Sequence, residues 1–280
     1  MYSLKPIHLS TLFLIGTLAC NSPLGQTGPE NAASSDSLLI AKSEQLTEDS
    51  PAYDMSSYPI DTLFTTDIIG TGTYHAEEFS DDFKTQKWIG LFYNKLGYYL
   101  EFAKLKTARV HDPIVDENET TKTGWEIATT NPDTAVVLIA ASDLLKPHQV
   151  QHVQLSEQQL FPGDSIQFTF LGQSYKLLAT GEKKKVRPDS DEIEVRNYKL
   201  YLIANLDGQE RKTLLVAKPY FDDNMISILF AGDIDDDGRL DLILDTSIKY
   251  NATSPTLYLS KPALQKELVI PIGQHTSVGC

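Results

Sequence analysis

Residues 87–102 read KWIGLFYNKLGYYLEF, which is two short apolar and aromatic runs joined by the segment NKLG at 94–97. Aromatic and β-branched residues favour strands, while Asn and Gly favour tight turns. The stretch therefore predicts an antiparallel β-hairpin with strands at 87–93 and 98–102.

Short runs of this kind continue along the chain from about residue 60, and extended helical periodicity is hard to find. A single helical turn is predicted near 142–145, before Pro147. Further strands are predicted at 104–110, 124–129, 134–140, 150–155, 165–171, 173–180, 194–204, 211–217, 225–231, 240–245 and 255–260. The sequence thus predicts a mainly β fold, built as an antiparallel β-sandwich or as two packed β-modules.

The charged segment 182–192, EKKKVRPDSDE, has a basic half and an acidic half around Pro188. A proline excludes a central strand, and so many charges favour an exposed loop over a binding patch. The segment also divides the predicted body into an N-terminal β-module at 60–181 and a C-terminal β-module at 193–280.

Overall charge limits the classes of partner. The chain has 24 Lys plus Arg against 38 Asp plus Glu, a formal net charge of −14. Such a surface repels phosphate backbones, so the composition argues against nucleic-acid binding and favours cations. The two cysteines, Cys20 and Cys280, are too few for a disulfide framework, a zinc ribbon or an iron–sulfur site.

The N-terminus predicts export from the cytoplasm. In residues 1–20, Lys5 precedes an apolar run at 9–19, which is shorter than the roughly twenty residues of a membrane-spanning helix. The run ends TLAC at 17–20 and resembles the lipobox of bacterial lipoproteins, in which the cysteine is acylated. That resemblance implies lipidation of Cys20 and a lipid anchor in the cell envelope, at the outer membrane. Ordinary secretion is the alternative.

Residues 21–59 predict a disordered tether, since they are rich in Ser, Pro, Gly and acidic residues and hold one brief apolar patch at 38–41. A flexible chain of this length typically reaches about 35 Å. It would hold the folded body clear of a membrane surface.

Residues 230–244, FAGDIDDDGRLDLIL, contain the strongest functional signal. Carboxylates stand at loop positions 1, 3, 5 and 9, and a glycine stands at position 6. Ca²⁺ takes six to eight oxygen ligands, and odd-numbered spacing turns alternate side chains inward. The predicted ligands are the side chains of Asp233, Asp235, Asp237 and Asp241 and the carbonyl of Arg239, while Asp236 is expected to point outward.

This loop differs from an EF-hand, because Leu244 replaces the bidentate Glu at position 12 and the flanking runs are of strand type. It resembles instead the calcium loops of FG-GAP and VCBS repeats, found in integrin-like propellers and secreted bacterial proteins. The resemblance implies a strand-loop-strand unit that binds Ca²⁺. A propeller is not implied, since one copy of the motif is present.

The sequence favours a non-enzymatic protein with a binding or scaffolding role, in which Ca²⁺ is structural, and it offers no catalytic residue. A glycan or a protein is the expected ligand. The aromatic stretch at 88–102 could line a glycan-binding face, or it could fill the core. The alternative function is a calcium-stabilised secreted hydrolase acting on glycans or peptides.

Overall fold

The computed structural model of the protein describes residues 64–189, 191–263 and 267–279. The predicted signal peptide, the tether, Cys20 and Cys280 lie outside the described residues. Within them the mainly β prediction is confirmed, because strands account for most of the regular structure and no α-helix is present.

The strands alternate along the chain with short turns. They are β1 (Ile68–Ile69), β2 (Gly72–Tyr74), β3 (Trp88–Asn94), β4 (Gly97–Ala103), β5 (Leu105–Val110), β6 (Gly124–Thr129), β7 (Thr134–Ala140), β8 (His148–Val150), β9 (Ser165–Phe170), β10 (Gln173–Lys185), β11 (Ile193–Leu206), β12 (Gln209–Tyr220), β13 (Ser227–Gly232), β14 (Asp241–Asp245), β15 (Ala252–Thr253), β16 (Pro255–Leu259), β17 (Ile270–Gln274) and β18 (Ser277–Val278). Two short 3-10 helices span Ala76–Glu78 and Asp81–Lys84. Across the described ranges, no helix has the length and apolar character that crossing a membrane would require.

The strands form four main antiparallel sheets, numbered in the order in which shared hydrophobic cores connect them. Sheet 1 has the order β2-β6-β5, sheet 2 the order β1-β7-β3-β4-β8, sheet 3 the order β13-β14-β16-β17, and sheet 4 the order β12-β11-β10-β9. A small additional pair joins β15 to β18.

Three hydrophobic cores separate these sheets. Buried side chains of sheets 1 and 2 share one core, those of sheets 2 and 3 share a second, and those of sheets 3 and 4 share a third. Sheets 2 and 3 are therefore buried on both faces. This explains the continuous apolar runs in β7 and β14, since Ile243 faces one core while its neighbours Leu242 and Leu244 face the other.

The predicted hairpin at 87–102 is confirmed. Its strands β3 and β4 pair from Trp88 opposite Ala103 to Asn94 opposite Gly97. Trp88 and Phe92 are almost completely buried in the core between sheets 1 and 2. This part of the aromatic stretch therefore fills the core.

Other strand predictions differ from the structure at particular points. The predicted strand at 150–155 is wrong for 151–155, because the strand there, β8, spans His148–Val150 and shares only residue 150 with the prediction. The predicted helical turn at 142–145 is a hydrogen-bonded turn from Leu145 N–H to the Ser142 carbonyl. Sequence reasoning missed the short strands β1, β2, β15 and β18 and the five-residue β17. Most of these are too short to show an alternating pattern.

The charged segment 182–192 is a strand in part. Residues 182–185 continue β10 and pair with β11, and Lys184 lies opposite Glu194. The pairing extends beyond the end of β9, so these residues lack a second neighbour strand and their charges stay in water. The predicted boundary between the two β-modules lies at this segment, but the strands on either side of it, β10 and β11, are paired in sheet 4. Along the chain, the strands pass from sheet 2 to sheet 4 between β8 and β9.

An ion pair links the ends of β2 and β5 in sheet 1. His75 Nδ1 lies 2.6 Å from Asp112 Oδ2, and the Asp112 side chain is almost fully buried. This hydrogen bond raises the pKa of His75 and lowers the pKa of Asp112. The charged pair therefore stabilises the fold where both groups are ionised.

Replacing His75 by Gln should lower the melting temperature more at about pH 5.5 than at about pH 9. The contribution of a raised histidine pKa is complete below about pH 6.5 and is lost as the pH rises through the folded-state value. Thermal melts of both proteins across this range measure the difference. Asp112→Asn, alone and combined with His75→Gln, completes a double-mutant cycle, and a coupling that does not vary with pH would contradict the charged pair.

Candidate metal centre

The aspartate-rich loop closes the hairpin between β13 and β14, where Gly232 lies opposite Asp241. The predicted strand-loop-strand arrangement is thus present. The start of the loop packs tightly against the segment that follows β8, because Asp233 N–H donates to the Gln151 carbonyl at 2.9 Å. A Cβ at Gly232 would lie only 2.4 Å from that carbonyl oxygen, so a side chain is excluded there.

Three predicted ligands converge in this loop. The carboxylates of Asp233, Asp235 and Asp237 each place an oxygen within 4.8 Å of the others. Asp233 and Asp235 are 6% and 2% exposed, and Asp237 is partly buried. Asp236 is exposed, as predicted. Alternate positions of the loop therefore turn inward, and a cluster of buried negative charge results.

Asp233 also fixes the bend of the loop. Its two carboxylate oxygens accept hydrogen bonds from the backbone N–H groups of Asp237 at 3.0 Å and Gly238 at 2.9 Å. Gly238 has φ of +78°, which other residues adopt only with strain. The glycine at position 6 is thus required by backbone geometry.

Asp241 lies beside the cluster and is bonded to the backbone. Its Oδ2 accepts from the N–H groups of Ile234 at 2.6 Å and Asp235 at 3.1 Å, and its Oδ1 accepts from Ser260 N–H at 2.7 Å. The side chain is fully buried, and this burial, with the charge of Asp235, raises its pKa well above the usual range. The structure thus gives Asp241 a loop-closing role, and its ligation of a metal stays a prediction.

One carboxylate oxygen of Asp235 has no hydrogen-bond partner among the residues that the structure describes. The Oδ2 of Asp235 accepts from Lys261 N–H at 3.2 Å, and the buried Oδ1 is the oxygen without a partner. Burial, followed by the charges of Asp237 and Asp233, raises the pKa of Asp235 to about 6. A buried carboxylate oxygen without a partner is unfavourable unless something else binds it.

Two basic side chains border the carboxylates. The Arg239 guanidinium lies 2.5 Å from Asp237 Oδ2, and the Lys261 ammonium donates to the Asp235 carbonyl at 3.1 Å. Ser260 Oγ donates to Asp237 Oδ1 at 2.9 Å. Arg239 thus contacts the cluster through its side chain and its N–H, while ligation by its carbonyl stays a prediction.

Sequence reasoning missed Ser260 and Lys261. They follow β16, and the pairing of β14 with β16 brings them to the loop. Nothing in the local motif identifies them, because they lie about twenty residues further along the chain. Only the strand order shows that this segment contributes to the site.

Comparison with protein-family models, with curated proteins and with solved structures finds no match. The chemistry of the site is therefore argued from its own residues. The cluster offers carboxylate and hydroxyl oxygens, which suit a hard divalent cation such as Ca²⁺. Among the described residues it includes no nitrogen or sulfur ligand of the kind typical of zinc.

Replacing Asp241 by Ala should destabilise the protein by at least about 2 kcal/mol, measured by chemical denaturation in EGTA. Three backbone N–H groups would lose their buried acceptor, and each unsatisfied group costs about 1–3 kcal/mol. Asp236→Asn removes the same charge from an exposed position whose left-handed backbone, φ +56°, asparagine tolerates, and it should change stability by no more than about 0.5 kcal/mol. Equal losses in the two variants would contradict the loop-closing role.

Proposed function

We propose that the loop at 233–241 binds Ca²⁺ and that the ion has a structural role in an exported, membrane-tethered β-protein. The unpartnered, buried Oδ1 of Asp235 is the observation that carries the proposal. It lies on one of three carboxylates whose oxygens are close enough to share one ion. A cation at this point would both satisfy the oxygen and offset the repulsion between the carboxylates.

The surroundings of the loop support a structural role for the ion. Asp233 binds the segment after β8 through Gln151, and Asp235 and Asp237 bind the segment after β16. An ion held by these carboxylates would join three chain segments at one end of the strands of sheet 3. The resemblance of the loop to FG-GAP and VCBS calcium loops agrees with this role.

Export and anchoring complete the proposal and rest on the sequence alone. The signal-like residues 1–20, the lipobox-like TLAC at 17–20 and the polar segment 21–59 support a lipoprotein attached to the cell envelope through Cys20. A β-protein held on such a tether would act in binding or scaffolding outside the cytoplasm.

Calcium should raise the melting temperature of the wild type relative to EGTA. With a dissociation constant of about 0.1–1 mM, about 10 mM CaCl₂ would add roughly 1.5–3 kcal/mol. Asp235→Asn should abolish this increment, yet it should raise the melting temperature in EGTA, because a buried negative charge is removed while an acceptor for Lys261 N–H remains.

Asp236→Asn is the matched control, since it removes a charge from the exposed neighbouring position. It should keep the full calcium increment. Calcium binding at the loop would be excluded if the wild type melted at one temperature in CaCl₂ and EGTA, or if Asp235→Asn kept the increment.

Lipidation is tested separately by metabolic labelling with palmitate. The label should enter the wild type and Cys280→Ala, and it should be absent from Cys20→Ala, because acylation is proposed at Cys20 alone. Cys280→Ala controls for the number of cysteines in the chain. Equal labelling of all three proteins, or of none, would reject the proposed anchor.

A further inference from the structure

Arg239 contacts one of the clustered carboxylates of the aspartate loop through both its side chain and its backbone. Its Nε and Nη2 atoms donate to Asp237 Oδ2 at 2.9 Å and 2.5 Å, and its backbone N–H donates to Asp237 Oδ1 at 2.9 Å. Nη2 also donates to the Ser260 carbonyl at 3.2 Å. The guanidinium is therefore held against the loop and against the segment after β16.

The acceptor sites of Asp237 are all used by these donors and one more. A carboxylate offers about four lone-pair sites, two on each oxygen. Oδ2 of Asp237 accepts twice from the Arg239 side chain, and Oδ1 accepts from Arg239 N–H and from Ser260 Oγ. Among the described residues, Asp233 accepts two hydrogen bonds and Asp235 accepts one. Asp237 is thus the clustered carboxylate with the least free capacity.

Coordination of Ca²⁺ by Asp237 requires a lone pair, so one of its donors has to leave. Ser260 is fully buried, so its hydroxyl would lose its acceptor in the interior, and Arg239 N–H is fixed by the bend of the loop. The Arg239 side chain is 46% exposed, so its guanidinium can move into water. The guanidinium is therefore the donor whose departure is least unfavourable.

Electrostatics favour the same exchange. A guanidinium and a calcium ion would repel each other if both contacted Asp237 Oδ2. An ion pair as exposed as that of Arg239 and Asp237 is weak, because water competes for both groups. A divalent cation can thus replace the guanidinium, but its affinity is lowered by the interaction that it has to break.

We infer that binding of Ca²⁺ exchanges the Arg239 guanidinium for the ion at Asp237 Oδ2, so that Arg239 is an internal competitor that sets the calcium affinity of the loop. This inference rests on the proposed calcium site. It adds that the loop carries its own monovalent cation, and that the side chain of Arg239 limits the calcium concentration at which the loop is filled.

The experiment is a calcium titration of the full chain by isothermal titration calorimetry, after EGTA treatment and buffer exchange. Arg239→Gln keeps the backbone N–H and the carbonyl of residue 239 but removes the guanidinium. We expect it to bind Ca²⁺ about tenfold more tightly than the wild type, because a competing ion pair and a neighbouring positive charge are both lost. A purely structural role of Arg239 would give equal or weaker binding.

Lys261→Gln is the matched control for the loss of charge. The Lys261 ammonium donates to the Asp235 carbonyl at 3.1 Å, so its removal takes a positive charge from the same cluster but frees no carboxylate oxygen. The Lys261 side chain is exposed, and its N–H bond to Asp235 Oδ2 is kept. We expect at most about a threefold gain in affinity, since an exposed charge is screened by salt.

The outcomes separate this inference from the calcium site itself. If the wild type binds Ca²⁺ and Arg239→Gln binds no more tightly than Lys261→Gln, the exchange is overturned and the calcium site stands. If none of the three proteins binds Ca²⁺, the calcium site is overturned and the exchange with it. Binding by Arg239→Gln alone would support the exchange and would show that Arg239 closes the wild-type loop to the ion.

Discussion

Sheet 3 is buried on both faces, and the position and burial of the aspartate loop follow from this packing. Leu242 and Leu244 pack towards sheet 4, while Ile243 packs towards sheet 2, so β14 has no face in water. The aspartate loop ends where this buried strand begins. Asp241 is therefore fully buried, and it is stabilised by three backbone N–H donors.

The same burial sets the electrostatics of the candidate metal centre. Desolvation raises the pKa values of Asp235 and Asp241, and neighbouring carboxylates raise them further. Arg239 and Lys261 offset part of this negative charge from the rim. Neither satisfies Asp235 Oδ1, which is the atom that a bound cation would contact. A site of this kind requires both a rigid surrounding sheet and a loop that concentrates like charges.

Local patterns predicted much of the fold and part of the site. The hairpin of β3 and β4, the strands at 124–129 and 134–140, and the inward and outward positions of the aspartate loop agree with the structure. Each depends on residues that are close in the chain. The strands that sequence reasoning missed are mostly two or three residues long, and such strands form only because neighbouring sheets hold them.

The β class, the spacing of the loop carboxylates and the glycine that the bend requires can all be read from the amino-acid sequence, because they follow from side-chain type and local backbone geometry. The three-dimensional packing was needed to show which strands pair, which carboxylate closes the loop and which distant groups, Ser260 and Lys261, complete its surroundings. It also decided that Trp88 fills a core while Phe102 stays exposed. Strand pairing between distant segments depends on packing energy summed over the whole chain, which no local pattern contains.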